Sequence, residues 1–564
     1  ARLFTQSLYR VGSGVGSSYA ANTLGAILGA FAGGFIFIPL VGVQNSIIIA
    51  ALVNLVVGWF LVVADPGLSR APRLALAGLV LAAVILVPWK MPRWDRYVLT
   101  SGVTIYSDRY EKLPTRSLRL EEMRRDEILY YREGLTVTIS VHRVGKDYLY
   151  FRSNGKIDGS YGDSLSQLMT GYIPLLLRPD AKRVAVIGLG TGMTAGAVGA
   201  FPVEKIEVLE IEPAVSAVAS FFADRNGKIL EDPRVRLVAT DGRNYILAAR
   251  GLYDVVASEP SNPWIAGIAN LYTREFYEVV KSKLKDDGVF AQWFHNYSMS
   301  PDDFRMVFRT FGEAFPHVSV WAMKESDFLL IGSKTEHAFR YPLLKKVFSE
   351  NSALRKDFEG LGLSDVYAVL GFYRMGRKEL LRFGEGADLN TDDGAQLEFS
   401  APRNVGRATT ELNQALMEPF IVDAPWLDSD SVPRRMRHYY LAQAHDLNGW
   451  YSRALEEVEQ AIRLDRSNPD FYLLKAKILL AEDKSSEAAE AALAALQLSP
   501  KTAKAVLAMS QEFYLTEAKG IYAKIIALGS REVLPYLGLG NIALHGGDLA
   551  EAERWFEKAR SLGA

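Results

Sequence analysis

The strongest constraint on the fold is an alternation of strand and helix patterns over residues 183–332. Short apolar runs alternate there with amphipathic segments, for example RVAVIG, KIEVLEI, YDVVAS and TREFYEVVKSKL. Such an alternation requires parallel strands that are joined by right-handed helical crossovers. The last two runs, HVSVWAM and SDFLLIGS, predict an antiparallel hairpin at the end of the sheet. The sequence therefore predicts a seven-stranded, Rossmann-like α/β sheet.

A chain of 564 residues is too long for one hydrophobic core, so further domains are expected. Strand patterns of period two, LTVTISVHRV and YLYFRS, flank a turn at Gly145 and predict a small β-hairpin domain before the sheet. We predict transmembrane helices at 1–92, the β-hairpin domain at 93–170, the Rossmann-like domain at 171–335, a mixed extension at 336–433 and helical repeats at 434–564.

The repeats are indicated by helical pairs in which small residues recur at a spacing near 34 residues. One set consists of Ala454, Ala488 and Ala552, and a second set consists of Ala461, Ala495 and Ala559. The pattern resembles tetratricopeptide repeats, which form an all-α solenoid. Because such arrays usually bind other proteins on a concave face, a protein partner is expected; a scaffold without a partner is the alternative.

Long apolar runs dominate the first region, at residues 19–40, 46–64 and 74–89. The first two are long enough to cross a hydrocarbon layer of about 30 Å as helices, and the third is short for a span. A cleaved signal peptide would not supply three such runs. The basic residues do not settle the orientation, because they flank both ends of the runs; they are Arg2, Arg10, Arg70, Arg73, Lys90, Arg93 and Arg96.

Composition excludes several classes of function. The formal net charge is −1, from 64 basic and 65 acidic residues, which gives no reason to expect nucleic acid as a partner. The chain has no Cys and only seven His, without a metal-binding spacing, so we expect neither a thiol nucleophile nor a metal.

Three strand ends carry residues suited to an adenosyl ligand. The first strand is followed by a glycine turn with Gly188, Gly190 and Gly192, where the backbone can approach a ligand closely. The second strand ends at Glu210, whose two oxygens can accept both ribose hydroxyls. Glu212, close by, is expected instead to begin a helix. The third strand ends at Asp241 and Gly242, where an acid can bind the exocyclic amine of adenine.

The fourth strand, YDVVAS, runs directly into Glu259, Pro260, Asn262, Pro263 and Trp264. Ligands of open α/β sheets bind at the carboxyl ends of the strands, so these residues are expected to leave the sheet and face a ligand. A carboxylate there can accept a proton from an attacking amine. Glu259 is therefore the candidate catalytic base, and Trp264 offers an apolar wall.

The block from about residue 160 to 332 resembles the spermidine synthase family of aminopropyltransferases. The similarity rests on the glycine turn, EIEP, DPRVRLVATDGRNYI, YDVVASEP and NLYTREFYEVVKSKLKDDGVFAQW. The whole chain looks more like the membrane-embedded, spermidine-synthase-like proteins, to which NTDDGAQLEFSAPR at 390–403 also fits. The resemblance implies a sheet of the S-adenosylmethionine-dependent transferase type and decarboxylated S-adenosylmethionine as the aminopropyl donor. It also implies that the residues from Gly188 to Gly192 cradle the donor, while Glu210 holds the ribose and Asp241 the adenine.

Several positions depart from the family's pattern. Thr191 replaces an acid in the glycine turn, Glu259 replaces a catalytic Asp, and Asn262 replaces a second acid. The acceptor-side residues before the first strand align with positions that include Gln167 and Tyr172. A diamine site needs carboxylates, so Asp392 and Asp393 are candidates to restore the negative charge; a turn with a helix cap is the alternative.

Three hypotheses follow. The first is a membrane-anchored aminopropyltransferase-like enzyme that uses decarboxylated S-adenosylmethionine and a polyamine or other amine. The second is a methyltransferase that uses S-adenosylmethionine on the same fold. The third is a catalytically degenerate membrane scaffold that works through its repeats. Because adenosyl donors are cytoplasmic, we expect a protein of the bacterial inner membrane whose soluble domains face the cytoplasm.

Overall fold

The structure, a computed structural model, describes residues 11–64, 69–324, 326–427, 430–510 and 512–563, and the side chains of 11 and 87–89 are also outside the description. Arg2 and Arg10 therefore lie outside the described residues. The chain forms two compact units. One comprises the described part of Ala1–Ser164 together with Gly188–Met193 and Val208–Tyr245, and the other comprises Leu165–Ile187, Thr194–Glu207 and the described part of Ile246–Ala564.

The N-terminal part of the first unit consists of long apolar helices. Helix α1 (Val11–Ala32) continues through a π-helical turn (Gly33–Phe37) to Val41, and is followed by α2 (Val43–Ala64) and α3 (Arg70–Lys90). The stretches Gly12–Val41 and Val43–Ala64 are long and apolar enough to cross a membrane, and none of their most apolar part is buried. Gln44 accepts a hydrogen bond of 3.0 Å from the backbone of Trp94, so the turn between the first two helices lies beside the end of α3. The predicted third span forms a helix, but its ability to cross a membrane stays a prediction.

A small antiparallel sheet follows in the same unit. Its strands are hydrogen-bonded in chain order; they are β1 (Glu127–Glu133), β2 (Thr138–Val144), β3 (Tyr148–Ser153) and β4 (Lys156–Ser160). The predicted hairpin is β2–β3, where Val144 pairs with Tyr148. Gly145, at φ 59°, supplies the left-handed backbone that this turn requires. Short helices precede the sheet: α4 (Arg96–Leu99), α5 (Ser107–Glu111) and α6 (Arg116–Met123).

The predicted α/β sheet is present. Its strands are β5 (Arg183–Ile187), β6 (Lys205–Glu210), β7 (Val235–Ala239), β8 (Tyr253–Ser258), β9 (Leu284–His295), β10 (His317–Met323), β11 (Asp327–Ser333) and β12 (Tyr373–Gly376). They are hydrogen-bonded in the order β12-β10-β11-β9-β8-β5-β6-β7. Strands β5, β8 and β9 pair in parallel, whereas β9, β11 and β10 pair antiparallel, as the terminal hairpin predicts. The short strand β12, which the sequence analysis did not find, adds an eighth strand beside β10.

One helix precedes the strands of this sheet, and others connect them. They are α7 (Ser164–Leu177), α8 (Met193–Gly199), α9 (Val215–Phe221), α10 (Gly242–Ala248), α11 (Arg274–Lys283) and α12 (Pro301–Ala314). Helix α7 is continuous across residues 170 and 171, where the sequence analysis placed a domain boundary. Its residues from Leu165 to Leu176 are all buried.

The end of β8 explains the abrupt change from apolar to polar residues. All six residues of the strand are buried, as expected for a central parallel strand. The Glu259 N–H still donates to the Ile187 carbonyl at 2.9 Å, which extends the ladder by one residue. Pro260 has no N–H to donate, so the ladder ends there.

Helices form the remainder of the second unit. The extension contains α13 (Tyr341–Glu350), α14 (Ser352–Leu361), α15 (Arg377–Phe383), α16 (Gln396–Ser400) and α17 (Thr410–Met417). The repeats contain α18 (Arg434–Leu447), α19 (Tyr451–Leu464), α20 (Pro469–Ala481), α21 (Ser485–Leu498), α22 (Ala503–Met509), α23 (Leu515–Ala527), α24 (Val533–His545) and α25 (Leu549–Ser561). The recurring alanines found in the sequence are buried, which explains why the repeat requires small residues there.

Candidate active site

The glycine turn lies in the first unit, directly after β5. Gly188, Gly190 and Gly192 have φ angles of 92°, 51° and 82°, which L side chains rarely adopt. A Cβ on Gly190 would come no closer than 3.9 Å to another residue, the ring of Phe151, whereas one on Gly192 would lie 2.9 Å from Asn226 Nδ2. The open face of the turn is therefore at Gly190, where a ligand can approach the backbone.

Asn226 supports this turn and was missed by the sequence analysis. Its Nδ2 donates to the carbonyls of Thr191 and Ala219, both at 2.8 Å, and the side chain is buried. Thr191 is itself buried, and its hydroxyl accepts from the Met193 N–H at 3.3 Å. At Asn226 the sequence shows only an Asn-Gly pair, which indicates a turn and gives no hint of the distant contact.

Glu210 ends β6 with both carboxylate oxygens bound to backbone amides. Oε2 accepts from the Leu189 N–H and Oε1 from the Glu212 N–H, both at 2.9 Å. Burial raises the pKa of Glu210 above its usual range, although these amide donors act in the opposite direction. Each oxygen has two lone pairs, so the carboxylate can accept further hydroxyl donors without losing these bonds. The arrangement fixes the orientation of the carboxylate, and the ribose contact expected for Glu210 stays a prediction.

The two neighbouring acids have different surroundings. Glu212 accepts from the Ala214 N–H at 3.0 Å and from the Thr136 N–H at 2.8 Å, so it caps the turn that leads into α9, as predicted. Asp241 is exposed, and its Oδ1 accepts from the Asn244 N–H at 2.8 Å at the start of α10, which begins at Gly242. The hydrogen bond to adenine that is expected for Asp241 stays a prediction.

In the second unit, Glu259 follows β8 and is half-buried. Its Oε2 is hydrogen-bonded by the Thr194 hydroxyl, which also lies 2.8 Å from the backbone oxygen of Gln167. These contacts hold the Glu259 carboxylate in one position. Thr194 was missed because the pattern of α8 marks it only as a residue at the start of a helix.

The predicted acceptor-side residues have unlike surroundings. Tyr172 is buried in α7, and its hydroxyl donates to Asp357 of α14. Burial, together with the charge of Asp357, raises the pKa of Tyr172 above its usual range. These contacts give Tyr172 a role in packing α7 against α14. Gln167 is also buried, and its backbone oxygen bonds to Thr194.

Asn262 and Trp264 are part of an aromatic cluster in the loop after β8. Asn262 is fully buried and its Nδ2 donates to the Tyr297 hydroxyl at 2.9 Å. The Trp264 ring lies 4.6 Å from the His295 ring and 5.6 Å from the Tyr297 ring, both edge-on. Asn262 Oδ1 and Trp264 Nε1 are buried and have no hydrogen-bond partner among the residues that the structure describes. Unsatisfied buried polar atoms are rare, so they mark a place where a ligand can complete the bonding.

The NTDD segment packs against this loop through residues other than its two acids. Asn390 is buried, and its Nδ2 donates to the carbonyls of Ala269 at 3.3 Å and Tyr272 at 3.1 Å. Asp392 and Asp393 are exposed in a turn, and the Asp392 N–H donates to Glu275 at 2.9 Å. The segment thus holds the loop in place. Asp392 and Asp393 lie in a turn, which the sequence analysis gave as the alternative to a charged site. Within the described ranges, no group of three His, Asp or Glu side chains is placed to hold a metal ion.

A glycine turn and carboxylates at successive strand ends are features of Rossmann-like α/β domains. Comparison with known families makes the class specific. Residues 164–324 match the family described as "Spermine/spermidine synthase domain", and residues 439–503 and 502–564 match "Tetratricopeptide repeat". The chain thus contains a spermine/spermidine synthase domain followed by tetratricopeptide repeats, as the resemblance indicated.

Similar proteins carry a related name. A polyamine aminopropyltransferase of Corynebacterium efficiens is 27% identical over 333 residues, which cover 57% of this chain and 60% of that protein. One of Thermotoga maritima is 28% identical over 154 residues, which cover 27% of this chain and 52% of that protein. The chain thus spans about half to three-fifths of these relatives' length. The solved structure of spermidine synthase from Thermotoga maritima has a TM-score of 0.34 at 22% identity, and the match covers 37% of this chain and 73% of that chain.

Proposed function

We propose that the protein transfers an aminopropyl group from decarboxylated S-adenosylmethionine to an amine. The observation that carries this proposal is the spermine/spermidine synthase domain at 164–324, because it contains both Glu210 and Glu259. Relatives named polyamine aminopropyltransferase support the same reaction class.

The donor is bound by residues at three strand ends. The backbone from Gly188 to Gly192 cradles it, with Thr191 in the turn. Glu210 accepts the ribose hydroxyls, because its oxygens are already oriented by the amides of Leu189 and Glu212. Asp241, with Gly242 at the start of its helix, binds the adenine amine. No metal is required, since the positively charged sulfonium already activates the adjacent carbon and departs as a neutral thioether.

The reaction is a displacement at the carbon next to the sulfonium. The lone pair of the acceptor amine forms the new N–C bond while the C–S bond breaks. The bonding pair goes to sulfur, which leaves as the neutral thioether of methylthioadenosine. The attacking nitrogen loses a proton to the Glu259 carboxylate, which the Thr194 hydroxyl keeps in place.

The acceptor is a polyamine or another amine. Asn262 and Trp264 contribute to its binding, because their unsatisfied atoms lie in the loop that follows Glu259. Gln167 and Tyr172 support this region through buried contacts. Asp392 and Asp393 attract a cationic acceptor only from the surface, since both are exposed.

Two further parts of the chain define where the enzyme works. The apolar helices Gly12–Val41 and Val43–Ala64 anchor it in a lipid bilayer, because their apolar surface is not buried by the rest of the protein. We place the soluble domains in the cytoplasm at the bacterial inner membrane, where adenosyl donors occur. The repeats bind a protein partner. Protection of residues after 97 from protease in sealed, right-side-out vesicles would support this placement, and their cleavage would contradict it.

Calorimetry on the full chain in detergent tests the donor assignment. Decarboxylated S-adenosylmethionine and methylthioadenosine are expected to bind, and S-adenosylmethionine is expected to bind more weakly. Preference for S-adenosylmethionine would favour the methyltransferase hypothesis. Absence of binding by all three would overturn the enzyme proposal and favour a scaffold.

A further inference from the structure

A second carboxylate, Asp327, lies on the same side of the sheet as Glu259. Strand β9 is hydrogen-bonded between β8 and β11. Ser258 pairs with Gln292 in β9, and Asp327 pairs with His295. Side chains alternate between the two faces of a sheet along each strand. The Glu259 side chain is therefore on the face opposite to that of Ser258, and this is the face of His295 and Asp327. The register places Asp327 opposite His295, and Glu259 beside Trp293, two residues earlier in β9.

Helix α7 contacts Asp327 directly and is linked to Glu259 through Thr194. Ser166 donates to Asp327 Oδ2 at 2.8 Å, and the next residue, Gln167, bonds through its backbone oxygen to Thr194, which binds Glu259. Asp327 thus accepts from the Ser166 hydroxyl, and the Thr194 hydroxyl lies within hydrogen-bonding distance of both Glu259 and the Gln167 oxygen. Asp327 is nearly as buried as the core, with 9% of its surface exposed.

Aromatic rings lie beside the strand that separates the two acids. Two strand spacings of about 4.8 Å, together with two residues of about 3.4 Å each along β9, separate their backbones by roughly 12 Å. His295 lies on the strand between them, stacked at 4.2 Å on Tyr297 and in edge contact at 4.6 Å with Trp264. Aromatic faces attract ammonium groups and cover methylene chains, and carboxylates bind ammonium groups by charge-assisted hydrogen bonds. Asn262 Oδ1 and Trp264 Nε1 beside this cluster are buried without a hydrogen-bond partner among the described residues, so a ligand there could bond to both.

We infer that Asp327 determines acceptor specificity by binding the distal ammonium group of an acceptor with two amino groups. This inference rests on the proposed function, in which the proximal amine reacts beside Glu259. Asp327 then supplies the negative charge that the family pattern loses at Asn262. The sequence analysis, which looked for that charge at Asp392 and Asp393, did not consider Asp327.

The test compares a diamine and a monoamine of equal chain length in the full-length enzyme. Release of methylthioadenosine from decarboxylated S-adenosylmethionine is measured with 1,4-diaminobutane and with butylamine. The Asp327→Asn variant keeps an oxygen for Ser166 and removes the charge. Asp286→Asn, at an exposed aspartate in the same unit, is the matched control.

The ratio of kcat/KM for the diamine to that for the monoamine does not depend on the fraction of folded enzyme. Asp327→Asn should lower this ratio about 10- to 100-fold, as expected for the loss of a hydrogen bond to a charged group. Asp286→Asn should leave it unchanged, and Asp327→Glu should retain part of the preference.

An unchanged ratio in Asp327→Asn, or equal use of both amines by the wild type, would overturn the role of Asp327 alone. Absence of methylthioadenosine release by the wild type with every amine would instead overturn the proposed function.

Discussion

The residues proposed to bind the donor and those proposed to bind the acceptor differ in how their polar groups are satisfied. Glu210 and Asp241 are bound by backbone amides, and the glycine turn is held by Asn226. Around Glu259, side chains bind one another, and Asn262 and Trp264 keep buried atoms without a partner among the described residues. A site whose contacts are mostly to backbone groups depends on few side chains. It can therefore stay the same while the residues that bind the acceptor change. In the proposed enzyme, specificity can therefore diverge on the acceptor side.

The largest expected difference between the two regions comes from Glu259→Gln. Removal of the proton acceptor should reduce turnover by about 10²- to 10⁴-fold, the usual contribution of a general base. Affinity for decarboxylated S-adenosylmethionine should stay unchanged, because Glu259 acts on the acceptor. Methylthioadenosine release at saturating donor and donor calorimetry measure the two effects. Asp286→Asn is the control, and substantial turnover by Glu259→Gln would exclude Glu259 as the base.

Glu210→Gln, unlike Glu259→Gln, should weaken the binding of the donor. Its new NH₂ group would face the Leu189 or Glu212 N–H, which are both donors, and its remaining oxygen lacks the charge. Donor affinity should fall about 10- to 100-fold, corresponding to a hydrogen bond with a charged group. Calorimetry measures this loss. The control is Glu212→Gln, which should lower thermal stability more than donor affinity; the reverse order for the two variants would contradict the ribose assignment.

The pH dependence of donor binding should report the same residue. The ionised form of Glu210 binds the ribose hydroxyls, and burial raises its pKa above the usual range. Donor affinity should therefore be full at neutral pH and fall as the pH drops through the raised pKa, by about tenfold for each pH unit below it. Calorimetry in buffers of decreasing pH tests this, and Glu210→Gln should show no such decline. A wild-type affinity that holds down to the ordinary range of a glutamate would contradict the role.

The smallest effects are expected from substitutions in the NTDD segment, where Asn390 holds the loop after β8 and the two acids are exposed. Asn390→Ala should cost about 1–2 kcal/mol of stability, since two carbonyls lose their donor. Turnover should fall a few-fold as the loop loosens. Asp393→Ala, in the same segment but exposed, tests whether that acid attracts the acceptor. Thermal melts and KM values for the amine distinguish the two. A raised KM in Asp393→Ala alone would show that the NTDD segment supplies the negative charge that attracts the acceptor.

Local patterns predicted much of the fold, including the glycine turn after β5. Strands such as YDVVAS, the glycine turn and the capping role of Glu212 depend on neighbouring residues, so periodicity and turn chemistry reveal them. Contacts between distant residues were not predictable in this way. Ser166 reaches Asp327 across 161 positions, and Asn390 reaches Ala269 across 121. The strand β12 has four residues, too few for a periodic signal.

The central claim is that an amine attacks the aminopropyl carbon beside Glu259. The most direct measurement is mass spectrometry of the products formed by the full-length wild type from decarboxylated S-adenosylmethionine and 1,4-diaminobutane, with Glu259→Gln in parallel. We predict methylthioadenosine and an acceptor enlarged by one aminopropyl group in the wild type, and almost neither in the variant. An acceptor that remains unmodified with this donor but gains a methyl group from S-adenosylmethionine would contradict the account.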